Sequence, residues 1–317
     1  KDLNHADADE NVFVGNFVGD AAGAVALTKC VAVGHNALSG ANHADASATT
    51  VVGWSAGNAI TVGKYNTAMG YEALKTNDDG DSNTAIGNQA LKTMNPGDGD
   101  GKNTAVGDQA GLSVTTGLNN VLIGYGAGDA FDTESDIIAI GVDAAGGAID
   151  GANRSIAIGS FALDAAATQG GTIALGYEAL TNLSSGAGNV AIGYQAGTAL
   201  TTGGRNVFLG HQAGTENGAT QLTGDDNICI GYQAGLKMEQ SANRNILIGS
   251  YAGDGQTVGD DMVFIGYQAG TAVATTDANG AVAVGNYALT SLTSGIGNVA
   301  IGFNSGKALT TGGKNVA

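Results

Sequence analysis

Asn189-Val190-Ala191-Ile192-Gly193-Tyr194-Gln195-Ala196-Gly197 is one copy of a unit that recurs from one end of this chain to the other. Its centre is a β-branched residue, an apolar residue, a large aliphatic residue and a glycine, and seventeen such glycines run from Gly15 to Gly302. Their spacing is mostly 17 residues and at most 21. A fixed period in this range marks an array in which each unit buries its apolar residues on its neighbours. Positions are numbered here from that key glycine. Position −3 is Val, Ile or Thr in all seventeen copies, and position −1 is always a large aliphatic residue or Met. Residues two apart share a face of a strand, and β-branched side chains suit a pleated surface. The glycine density excludes a helix. The expected fold is all-β: a parallel β-solenoid, or β-roll, of about 17 coils, with residues 1–317 forming a single repeat array.

Position +3 is small, Ala in fifteen copies with Val18 and Ser305 the exceptions, which predicts a contact too tight for a larger side chain. Position +4 is usually Gly or Leu. Several copies continue as Leu200-Thr201-Thr202-Gly203 does, with the Leu as a further inward anchor and the Gly closing a turn. Asn opens ten of the seventeen copies, among them Asn66, Asn83, Asn103, Asn189 and Asn206. Stacked Asn side chains can hydrogen-bond from coil to coil. The longer copies carry their extra residues as loops, at 92–102 and 215–226.

The chain has 317 residues, 54 of them Gly and one Pro, and a net charge of −17. That charge repels polyanions, so nucleic acid is not an expected partner. No apolar run approaches the roughly 18 residues of a membrane span. The last copy breaks off at Asn315–Ala317, from which a longer chain is expected. Cys30 and Cys229 lie about ten coils apart, too far for a disulfide at ~4.8 Å per coil, and read as packed apolar residues.

Position −2 decides the assembly expected from the sequence. If −3 and −1 face inward, −2 points to the opposite face, yet Phe13, Ala68, Ala85, Leu122, Ala191, Phe208, Cys229, Leu247, Phe264 and Ala300 stand there and no copy is polar. A strand apolar on both faces is buried on both. Those ten residues are therefore expected to pack between chains, with a homotrimer as the favoured cyclic closure.

The copies Asn189-Val190-Ala191-Ile192-Gly193 and Asn298-Val299-Ala300-Ile301-Gly302 resemble the head repeats of YadA-like trimeric autotransporter adhesins. The form at Asn83–Ala90 and Asn103–Ala110 looks like repeat regions of phage tail fibres. The resemblance covers essentially the whole chain and implies an extracellular, homotrimeric attachment fibre, on a virion or a bacterial surface, that meets a host-cell glycan or protein receptor. Adhesin heads use shorter coils than 17 residues, which favours the tail-fibre branch. Trp54, Tyr71, Tyr125, Tyr177, Tyr194, Tyr232, Tyr267 and Phe303 directly follow the key glycine and form a candidate ladder for stacking on sugars.

No catalytic residue is expected. The alternative of another class, a tailspike-like glycan depolymerase, would need paired carboxylates in a cleft. Glu72 and Glu178 instead occupy a position that elsewhere holds Gln. His5, His35, His43 and His211 show no metal-ligand spacing, and the acidic runs 78–81, 98–100, 225–226 and 260–261 fit no calcium loop and read as solvated turns. No cofactor or metal is expected.

Overall fold

The computed structural model describes residues 10–21, 27–43, 46–97, 99–147, 151, 153–165, 167–215, 221–255, 259–272 and 278–317. His5, Asp98 and positions 216–220 of the second long loop lie outside the described residues. Each copy contributes one three-residue strand at positions −3 to −1, from β1 (Val12–Val14) to β17 (Val299–Ile301). There is no α-helix among the described residues. The chain is a parallel β-solenoid with one strand per coil and a repeat of about 17 residues.

Two compact units, residues 1–157 and 158–317, are built on this coil, and β9 (Ile156–Ile158) spans the boundary. In the first, β1 to β8 (Ile138–Ile140) pair in parallel with equivalent positions opposite each other, as in Thr67↔Thr84 and Ala68↔Ala85. In the second, β10 (Ile173–Leu175) to β17 do the same, as in Ala191↔Phe208. A one-residue slip would turn every −2 side chain to the opposite face, so the register is strongly specified.

The inward and outward faces are the reverse of the sequence expectation. Ala68, Ala85, Leu122, Ala191, Phe208, Cys229, Leu247, Phe264 and Ala300 are fully buried within the single chain, and Phe13 is half-buried beside Gly19. The nine fully buried side chains fill the interior of their own coils and are not available to pack between chains, and Phe13 points the same way. Positions −3 and −1 face outward: Ile192 is 39% and Leu175 38% exposed. Alternation assigns residues to two faces but does not say which is inside. The chain reversal after the key glycine, which brings the +3 alanines back over −2, makes that choice.

The interior has a packing rule. Seven coils with a larger −2 residue (Phe13, Val51, Leu122, Phe208, Cys229, Leu247, Phe264) have Gly at +4. All six coils with Leu at +4 (Leu38, Leu74, Leu91, Leu163, Leu180, Leu289) have Ala at −2. The two positions share one space: a Cβ at Gly253 would come 2.9 Å from the Leu247 side chain. Coils small at both positions borrow from neighbours, since the space at Gly197 is filled by Leu180 and Phe208, each 2.7 Å from a Cβ placed there. Constant volume at close-packed density explains why Ala and Phe can occupy equivalent sites.

Turns hold the stack as firmly as the strands do. Non-glycine residues at −5, +2 and +4 adopt left-handed φ, between 46° and 65°. Each such residue costs roughly 1–2 kcal/mol. The twist aims its N–H along the stack: Gln195 donates to the Tyr177 carbonyl at 2.8 Å, Leu180 to that of Ala196 at 3.0 Å, and Arg205 to that of Ala187 at 2.9 Å. Each such N–H is thereby paired with the adjacent coil. At −4 the expected Asn ladder is present. Asn206 Oδ1 accepts from the Asn227 backbone N–H at 2.9 Å, and its Nδ2 donates to the Gly224 carbonyl at 2.9 Å. Asn103, Asn189 and Asn245 repeat the pattern, and Asn83 Oδ1 accepts in the same way while its Nδ2 donates to Asn66 Oδ1; all are fully buried. A buried amide is tolerated here because donor and acceptor are both satisfied by the next coil.

Cys30 and Cys229 are free, buried thiols, as expected of packed apolar residues. Burial pushes both thiols up from their ordinary pKa.

Candidate functional site

The aromatic residues after the key glycine project from the turn that leaves the strand, and in-register stacking brings rings of successive coils together. Trp54 and Tyr71 stack at 5.0 Å with planes 9° apart. Tyr177 and Tyr194 stack at 5.4 Å and 12°. Sequence reasoning left His35 and His211 out of this ladder, yet both occupy +1 and are part of it. His211 lies 4.9 Å from Tyr194 and 5.2 Å from Tyr232.

Phe17, Phe161, Tyr251 and Tyr287 were also missed because their rings sit at +2. These residues fill the coils whose +1 residue is Asn16, Ser160, Ser250 or Asn286. Placement decides geometry. Two rings at +1 stack, with interplanar angles of 8° to 23°. A ring at +2 beside one at +1 meets it edge to face, at 74° to 88°. The second unit thus carries nine consecutive rings, from Phe161 to Phe303, and the first carries Phe17, His35, Trp54 and Tyr71. Tyr125 is 53% exposed and stands between coils whose +1 residues are Asp108 and Val142.

The geometry limits what the ladder can bind. Within a stacked run each ring covers its neighbour's face, so Tyr194 presents its edge and hydroxyl to solvent. Open faces belong to rings with no ring on one side. Tyr71 is one, because the next coil has Asn88 at +1, and Tyr125 is another.

Beside the aromatics, +2 side chains form an amide and carboxylate ladder. Gln195 Nε2 donates to Glu178 at 2.6 Å, Gln212 to Gln195 at 2.9 Å and Gln233 to Gln212 at 2.8 Å. In the first unit Glu72 accepts from Lys75 at 2.6 Å, Lys92 at 2.8 Å and Gln89 at 3.1 Å. Both acids are therefore occupied by ladder neighbours. The Lys75 hydrogen bond first, then that of Lys92, lowers the Glu72 carboxyl from 4.5 to about 2, with burial opposing. Because the folded value is the lower one, this stabilisation is complete above pH 4.5 and disappears as the pH falls to about 2. Unfolding free energy measured across that window should fall by about 2 kcal/mol more in wild type than in Glu72→Gln.

The outer strand face is a second candidate surface. Positions −3 and −1 give it two aliphatic columns, broken only by Thr50, Thr67, Thr84 and Thr104 at −3. The acidic turns are held by neighbouring coils. Asp225 accepts from the Gly204 N–H at 2.7 Å, and Arg205 and Arg244 pair with Asp226 and Asp261, each at 2.6 Å. Among the described residues no three His, Cys, Asp or Glu side chains are placed to hold a metal ion. No helix among them is long and apolar enough to cross a membrane.

No protein-family model matches the chain, and no curated protein is detectably similar to it.

Proposed function

We propose that this chain is a segment of an extracellular attachment fibre of the virion tail-fibre kind. In this reading three copies cover one another's outer strand faces and leave the aromatic ladder free to contact a host-cell glycan or protein receptor. The observation that carries the reading is the outer face itself. A solvated sheet face alternates to polar residues, but here Ile86, Ile123, Ile192 and Ile265 remain 36% to 39% exposed in equivalent positions of their coils. Aliphatic columns of this length exceed the few hundred Å² of apolar patch usual on a monomer. Cyclic symmetry covers every copy's columns at once. The function then follows from repetition: weak contacts to identical receptors add through avidity, and a stack of coils supplies many of them.

Sedimentation at micromolar concentration tests the assembly. The wild-type protein should run as three copies of the 31.1 kDa chain. The combined variant Ile192→Lys, Leu209→Lys, Ile230→Lys should run as one copy with an unchanged circular-dichroism spectrum. A folded wild-type monomer would overturn the assembly. Binding to host-cell glycans should weaken by about fivefold or more in Tyr71→Ala, Tyr125→Ala, since losing the two open-faced rings removes roughly 1–3 kcal/mol. Unchanged binding would remove the ladder from the contact surface.

A further inference from the structure

The second unit places six tyrosines in one ladder, Tyr177, Tyr194, Tyr232, Tyr251, Tyr267 and Tyr287, and among their neighbouring pairs Tyr232 and Tyr251 have the shortest separation of ring centroids. Tyr232 and Tyr251 lie 5.2 Å apart between ring centroids, edge to face at 74°. At this separation the edge of one ring lies against the face of the other, so ring carbons of the two residues are held close together. Tyr232 is 42% exposed, so the pair is open to small oxidants from solvent.

We propose that Tyr232 and Tyr251 are a site of oxidative cross-linking, coupling to dityrosine when a peroxide-driven haem peroxidase supplies one-electron oxidation. Each phenol gives up one electron and its hydroxyl proton, leaving two tyrosyl radicals. The radicals join ortho carbon to ortho carbon, forming one C–C bond. Each of those carbons then passes its hydrogen to its own phenol oxygen, which restores both hydroxyls and aromatic rings. The protein loses two hydrogen atoms in all. One hydrogen peroxide takes up the two electrons and two protons and leaves as two waters.

The bond ties the coil that follows β13 (Ile228–Ile230) to the coil that follows β14 (Ile246–Ile248), so these coils can no longer peel apart. Apart from the continuous backbone, the coils are otherwise held to one another by hydrogen bonds, ion pairs and packing. The coupling lies within one chain and stands whether or not the chain assembles into a fibre.

Proximity makes the product predictable. Residues held in contact have an effective concentration of mM or more, so at ~10 μM protein the intrachain bond should exceed bonds between molecules by about 100-fold. Tyr65 and Tyr125, at 62% and 53% exposed, are more accessible than Tyr232 but have no tyrosine beside them in the ladder. They serve as internal controls.

The full chain is treated with a haem peroxidase and hydrogen peroxide at two protein concentrations tenfold apart, digested, and read by mass spectrometry. The expected product joins the peptides of Tyr232 and Tyr251, is lighter by two hydrogens than their sum, and has the same yield at both concentrations. Tyr251→Phe should abolish it, and Tyr65→Phe should leave it unchanged. The proposal is overturned if the 232–251 product is absent from wild type, if its yield falls with dilution, or if Tyr65 and Tyr125 are linked as often.

Discussion

Gly193→Ala should destabilise the second unit by about 3–5 kcal/mol. Two causes add. The Gly193 φ of +139° lies where L residues are strained. A Cβ there would also overlap the backbone carbonyl of Gly210, the equivalent glycine of the next coil. Backbone cannot move aside as a flexible side chain can, because the Gly210 N–H is itself bonded to the Ile192 carbonyl at 2.8 Å. Gly302 separates the two causes. Its φ is +128°, but a Cβ there would meet nothing nearer than Ser305 at 4.0 Å. Gly302→Ala should therefore cost only the dihedral strain, about 1–3 kcal/mol. Chemical denaturation of the two variants side by side measures the difference, and equal losses would mean that coil-to-coil contact is not what requires glycine.

Phe208→Ala should cost about 3–5 kcal/mol, as for other buried aromatic truncations. Gly214→Leu alone should also destabilise, because a Cβ at Gly214 would overlap the Phe208 ring. The double variant should nevertheless be more stable than either single one. It recreates the pairing of Ala174 with Leu180, in which Leu at +4 holds φ of 51° and fills the space beside a small −2 residue. A favourable interaction energy of about 1–3 kcal/mol in the double-mutant cycle is the expected measurement. Additive losses would show that the compensation between −2 and +4 is not energetic.

The aromatic ladder was legible in the sequence only in part. Trp54, Tyr71, Tyr177, Tyr194, Tyr232, Tyr267 and Phe303 could be aligned because they share one position. His35 and His211 share it too, but a search for metal-ligand spacing judges histidines by chemistry and misses their role as flat rings. Tyr251 and Tyr287 required knowing that +1 and +2 project close enough for their rings to meet. That depends on the left-handed turn at +2, where Tyr251 has φ of 60°, and no propensity of Tyr signals such a turn. That Glu72 shares its position with Gln in other copies is visible in the sequence, but its engagement by Lys92 follows from side-chain reach across a coil.

The amino-acid sequence by itself determined that this protein is a stack of coils, where each strand lies, that strands run parallel in register, and that Asn residues at −4 form a ladder. All of these follow from a period, since equivalent residues in a regular stack must meet equivalent residues. Only the tertiary structure decided which strand face is the interior. Strand alternation is symmetric between two apolar faces, and the symmetry is broken by where the chain returns after the key glycine. That return places Ala191 and Phe208 inside and Ile192 and Leu209 outside, and so moves the unpartnered apolar surface from the −2 residues to the −3 and −1 columns.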